Sequence, residues 1–272
     1  MSKKETPTQS DASATLKPVN PLFVEDEKPT FTTGYGPVTG TLWTILAFFF
    51  AQLAVVLLIG LYALVAGYDE TFLETITESN FNNFIFSGGF AFFQLVGVWA
   101  LLRYKKRTLR SVGLVRPVWD DILRSIMAWG GYMVVFIGLT IVLRSVETGI
   151  DFEQSQQIDF TPTNTQFELV LIFVSLVVLP AFVEEILMRG FLYRSLRSKL
   201  GFVASAIPIS LLFGLAHTQF GSGESLLWIA FVDTFVLSMV MCYVVEKYKS
   251  IWPAIGAHAI KNGLAFTYLF VL

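Results

Sequence analysis

Apolar residues along this chain come in long blocks separated by short polar connectors. Seven blocks, roughly 41–66, 82–102, 122–143, 167–188, 202–218, 226–245 and 251–271, lie near the ~20 residues that an α-helix needs to cross a bilayer. The pattern predicts an all-α fold, a polytopic membrane helix bundle of about seven transmembrane helices. Residues 1–38 break the pattern: Ser, Thr, Pro, Lys and Glu dominate, and no apolar period is present. They read as a disordered cytosolic tail, and without a charged start leading straight into a short apolar core they do not read as a signal peptide. Residues 39–272 then form one transmembrane domain with no internal repeat, whose chemically suggestive part is 167–271.

Composition agrees with this reading. Of 272 residues, 54% are hydrophobic and 26 are Phe, and the mean hydropathy is +0.62. Charged residues make up 15%, against ~25% in soluble domains. The partner implied is the lipid bilayer and no nucleic acid is expected. The one cysteine, Cys242, lies in an apolar block; it excludes an internal disulfide and a CxxC-type metal site and reads as a small packing residue.

The net charge of −2 says little, but the placement of charge sets an orientation. Segment 103–120 carries Arg103, Lys105, Lys106, Arg107, Arg110 and Arg116. Segment 189–199 carries Arg189, Arg194, Arg197 and Lys199, and 246–250 adds Lys247 and Lys249. The alternate connectors are acidic: Asp69, Glu70, Glu74 and Glu78 in the first, five acids against Arg144 in 144–168, and Glu224 in the third. A multi-pass cell-membrane protein with a cytosolic N-terminus and an outer C-terminus is expected.

Ionisable groups inside spans are costly and mark function by default. The chain has two histidines, His217 and His258, and both fall in predicted spans beside Glu184, Glu185, Asp233, Lys261 and Asn262. The segment RSLRSKLGF turns the chain between the fourth and fifth spans. Glu184 lies 16 residues before Leu200, and His217 lies 16 after Gly201, so the two should face each other across an antiparallel hairpin. Glu185 and Arg189 have the i,i+4 spacing of an intrahelical ion pair. Adjacent glutamates differ by ~100° around a helix, which leaves Glu184 to face the bundle interior. Phe213 with His217, and His258 with Asn262, are also i,i+4. Pro180, four residues before Glu184, removes a backbone bond and is expected to open the helix there. Asp233 and Lys261 stand at similar height and read as a structural bridge. Because the helix runs ~22 Å from Glu184 to Lys199, and His258 follows Lys249 by nine residues, the site is expected to open to the cytosol.

A glutamate beside a histidine in a partly dry pocket can take a proton from water. A second histidine and an amide can donate to a developing oxyanion. Those parts suffice for peptide hydrolysis by an activated water. Two histidines and a carboxylate are also a zinc donor set, with His217 and His258 as ligands, although the compact HExxH pairing is missing. A serine nucleophile is disfavoured because no GxSxG occurs.

The residues EEILMR fit EExxxR, FGLAH fits FxxxH, and HAIKN fits HxxxN, in this order on three late spans. Together they resemble the CPBP family of intramembrane proteases, which includes type II CAAX prenyl endopeptidases and bacterial bacteriocin-processing or immunity proteins. The resemblance covers roughly 167–271. It implies catalytic roles for Glu184, Glu185, His217, His258 and Asn262: Glu184 and His217 activating water, His258 and Asn262 stabilising the oxyanion. Glu185, Arg189 and Phe213 occupy the remaining motif positions. The substrate implied is a peptide or lipidated protein, cut in eukaryotic relatives three residues from its end after a prenylated cysteine. The family is often labelled metalloprotease, so zinc and a metal-free glutamate mechanism both stay open. The short connectors suggest a bacterial source. A non-catalytic scaffold or bacteriocin self-immunity factor is the alternative, and a proton-coupled transporter is disfavoured by the lack of repeat halves.

Overall fold

The computed structural model describes residues 32–68, 78–146, 149–154, 156–219 and 226–272. Most of the expected tail, and Asp69, Glu70, Glu74, Glu147 and Glu224 of the acidic connectors, lie outside the described residues. Those residues contain seven long helices and no strand. They are α1 Pro37–Ala66, α2 Asn80–Tyr104, α3 Asp120–Ser145, α4 Gln166–Arg197, α5 Phe202–Ala216, α6 Trp228–Tyr248 and α7 Trp252–Phe270, with a 3₁₀ turn at Leu109–Val112.

The ends follow local chemistry. Pro37 opens α1, where its missing N–H costs nothing, and Gly67 closes it in the left-handed region at φ 73°. Five helices are long and apolar enough to span a membrane: α1, α2, α3, α4 and α6. The other two predicted spans fall short. α5 has 15 residues, ~22 Å of helix against a hydrocarbon core of ~30 Å. α7 carries His258, Lys261 and Asn262 along its 19 residues. The two helices that fail as simple spans are thus the two that bring the histidines.

The bundle is organised around α4. Every residue from Ile186 to Leu196 is buried, so this part of the helix is covered all round. α1 docks with a stripe of small side chains, Gly40, Thr44, Ala47 and Ala51, which lets two backbones approach closely where no hydrophobic drive exists between helices. Gly40 rests directly on Ser195, whose hydroxyl also meets the Thr33 hydroxyl at 2.7 Å. The outward faces of α1, α2 and α3 are apolar, with Phe49, Leu57, Trp99, Ile141 and Val134 exposed as lipid contact requires.

At the basic end, the buried Arg194 guanidinium donates to the carbonyls of Ser111 and Lys249, at 3.4 and 3.2 Å. This ties α4 to the 3₁₀ turn and to the α6–α7 connector. The Ile251 N–H donates to the Gly113 carbonyl at 3.1 Å and closes the same junction. Gly113 has φ +87° and lies against the Arg194 guanidinium, leaving no room for a Cβ. Gly113→Ala therefore combines left-handed strain of about 1–3 kcal/mol with displacement of Arg194. The expected outcome is a melting temperature several degrees lower in detergent, whereas Gly130→Ala, at an open helix surface, leaves it unchanged.

Candidate active site

α4 is irregular where it passes the polar residues. Two π-helical stretches, Val174–Val178 and Ile186–Leu192, flank the α-helical turns Leu179–Glu185. Such insertions often occur at functional sites. Pro180, between them, has no N–H to offer the carbonyl four residues earlier, that of Leu176. Asn262 of α7 replaces the missing donor: its Nδ2 donates to the Leu176 oxygen at 3.0 Å. One N–H of the amide is thereby committed to joining α7 to α4, and the second stays available.

Glu185 lies fully inside the bundle. Its Oε1 accepts from Arg189 Nη1 at 3.0 Å and meets His258 Nδ1 at 2.9 Å. Sequence spacing anticipated the Arg189 pair; the second partner comes from α7, 73 residues on. Phe213 of α5 fills the space between these groups. The Arg189 guanidinium lies 4.3 Å above its ring centre, and the His217 and His258 rings pack against it at 4.6 and 6.2 Å. The aromatic ring covers the cation and fixes both imidazoles.

Glu184 is placed differently. It faces a cavity of about 340 Å³ shared with Phe213, His217, His258, Lys261 and Asn262. Its Oε2 is buried and finds no hydrogen-bond donor among the described residues. The predicted juxtaposition with His217 is present as a shared cavity, without a direct hydrogen bond. His217 follows the last turn of α5, where Nδ1 meets the Phe213 carbonyl at 2.7 Å. A carbonyl can only accept, so Nδ1 carries the proton and Nε2 keeps a lone pair. The site thus holds an unpaired carboxylate oxygen and an imidazole acceptor in one pocket.

Asp233 of α6 and Lys261 of α7 pair at 2.9 Å, as their heights suggested. Tyr132 of α3 also hydrogen-bonds Asp233; no spacing rule pointed to it, because α3 carries no motif. The Leu176 carbonyl was likewise missed, although a proline four residues later is its signal.

The cavity reaches one end of the bundle. Its lining includes Ser87 near the start of α2, Leu269 near the end of α7, and the connector residues 156–160. That connector is fastened over the opening: the Gln157 N–H donates to Gln219 Oε1 at 3.2 Å, and Gln219 Nε2 donates to the Gln157 carbonyl at 2.9 Å. Asn83 holds the Asp159 carbonyl. The basic segments 103–116 and 194–199 are at the opposite end. The expected opening on the basic side therefore differs from the course of the cavity. Counting residues from Lys249 measured the depth of His258, and depth does not determine the direction of access.

Among the described residues no three His, Cys, Asp or Glu side chains gather into a metal-binding group. The Nδ1 atoms of His217 and His258 are engaged by the Phe213 carbonyl and by Glu185, which leaves each ring its Nε2.

Residues 166–264 match the family model described as Rce1-like, type II CAAX prenyl endopeptidase Rce1-like. No curated protein and no solved structure matches the chain. The matched segment contains every residue of the Glu184–Glu185–His217–His258–Asn262 set.

Breaking a buried ion pair costs about 3–5 kcal/mol, whereas removing both partners is often close to neutral. Arg189→Met should therefore strongly reduce the amount of folded protein in membranes. The double variant Glu185→Gln with Arg189→Met should recover much of it. Quantitative blotting and detergent melting curves check both.

Proposed function

We propose that this chain, whose residues 166–264 match the model of the type II CAAX prenyl endopeptidase Rce1-like family, is an intramembrane endopeptidase that cuts membrane-associated or lipidated peptides with a water activated by Glu184 and His217. The observation that carries this reading is the Glu184 Oε2 atom, buried without a donor among the described residues in the same cavity as the unprotonated Nε2 of His217. A water between them donates to both. Glu184 takes one proton as the water oxygen attacks the scissile carbonyl carbon, whose C=O π electrons pass to its oxygen. The oxyanion accepts from the uncommitted N–H of Asn262 and faces the His258 ring, which the Glu185 oxygen orients. Collapse breaks the C–N bond, and the proton on Glu184 passes to the leaving amine.

A lipidated substrate is supported by a second cavity of about 290 Å³ with an entirely apolar lining, between α2 and α4. Phe182 and Ile186 line it, on the helix that also carries Glu184 and Glu185. The two cavities share α4 as a wall, on different faces of that helix.

No step here uses a metal. Cleavage of a lipidated peptide by purified protein is expected to survive chelator treatment, and loss of activity restored by zinc would reject this mechanism. Glu184→Gln should abolish cleavage by at least about 10³-fold, as removal of a general base does. It should leave the melting temperature unchanged, since Glu184 takes part in no ion pair among the described residues.

Charge placement supports a cytosolic basic end, and the mouth beside 156–160 then faces the other side of the membrane. A Gln157→Cys variant in a Cys242→Ala background tests this. Labelling of intact cells by a membrane-impermeant maleimide is expected, and labelling only after lysis would place the mouth in the cytosol.

A further inference from the structure

We propose that Lys261 is a substrate subsite that binds a carboxylate of the peptide being cut, either its C-terminal carboxylate or an acidic side chain within about three residues of the scissile bond. The inference rests on the protease reading above and adds what the cavity selects.

Lys261 supplies the one Lys or Arg side chain lining the catalytic cavity among the described residues. It follows His258 by three residues, so it stands one turn, ~4.5 Å, further along α7 toward the mouth. An extended peptide advances ~3.3 Å per residue. With its scissile carbonyl at His258, a peptide running toward the mouth brings a carboxylate two or three residues later within reach of the lysine ammonium.

A purely structural role explains Lys261 less well. Its contact with Asp233 is a single one at 2.9 Å, and an ammonium has three donors. Asp233 also receives the Tyr132 hydroxyl, so its charge has another partner. The lysine side chain keeps 24% of its surface accessible and Asp233 keeps 19%; a pair meant only to join helices could be replaced by apolar side chains at little or no cost. The other charged groups lining this cavity, Glu184 and Asp159, are acidic. A substrate carboxylate therefore has one place to go.

Three peptides test the proposal on the full-length protein in liposomes. Each is an S-farnesyl cysteine followed by three residues: an apolar free acid, its C-terminal amide, and an amide with Asp at the last position. The wild type is expected to cleave the free acid about 10- to 100-fold better than the apolar amide, the size of one charge-assisted hydrogen bond, with the difference mainly in KM. Lys261→Met should reduce the free acid to the level of the amide and leave amide cleavage unchanged. Lys261→Arg should keep part of the preference, and Asp233→Asn, which removes only the structural partner, should keep most of it. Recovery with the Asp-bearing amide would assign the subsite to any nearby carboxylate; no recovery would assign it to the chain terminus. Equal cleavage of acid and amide by the wild type, or equal losses on both in Lys261→Met, overturns the proposal while the protease reading stands. If no peptide is cut, the protease reading fails. Binding of the same peptides then decides: a preference for the acid lost in Lys261→Met supports the subsite, and equal or absent binding overturns it.

Discussion

The carboxylate of Glu185 is the point on which this bundle depends. It sits in a dry core with Arg189 and His258 on one oxygen, both within 3.0 Å. An isolated charge there would be prohibitive, because water cannot solvate it and hydrocarbon does not. The pair is tolerable because the guanidinium and the carboxylate meet on one helix and the Phe213 ring covers the cation. Such an arrangement adds little net stability compared with apolar packing; its yield is geometry. His258 is locked to α4 through the same oxygen that neutralises Arg189, so one carboxylate fixes both the helix interior and the orientation of an imidazole from α7.

The helix break at Pro180 performs a similar task by a different route. The Leu176 carbonyl without a helical donor would be an unsatisfied polar group in a membrane interior, where each costs several kcal/mol. Asn262 satisfies it, and α7 is drawn against α4 at two heights, by His258 and Asn262 four residues apart. Between these two ties Glu184 is left with no donor at Oε2 among the described residues. Among the described residues the nearby cations point elsewhere: Arg189 Nη1 donates to Glu185, and Lys261 pairs with Asp233.

Much of the architecture was legible in the apolar blocks, because a helix that must face lipid has to be apolar over a length set by the bilayer. Six of the seven helices appear within a few residues of their expected limits among the described residues, and α4 runs nine residues past its expected end, to Arg197. The shortfall of α5 and α7 as spans is also written in the sequence, as Pro208 and a short block in one and His258, Lys261 and Asn262 in the other. What periodicity could not convey is that α5 packs one face on α6 and α4 while α7 packs on α3, α4 and α6, so that His217, His258, Lys261 and Asn262 meet protein.

Within the site, relations along one helix could be read by counting, since i,i+4 spacing fixes a neighbour regardless of the fold. The Glu185–Arg189 pair, the Phe213–His217 contact and the break at Pro180 belong to this class. Relations between helices needed the tertiary structure, because rotation about each helix axis decides which side chain meets which. The approach of His258 to Glu185 instead of to Glu184, the use of Asn262 on the Leu176 carbonyl, Tyr132 on Asp233, and the course of the cavity toward residues 156–160 are of that kind. The sequence by itself determined which residues had to leave the lipid and how deep they lie. Packing decided which carboxylate was neutralised, which was left open, and from which end of the bundle it is reached.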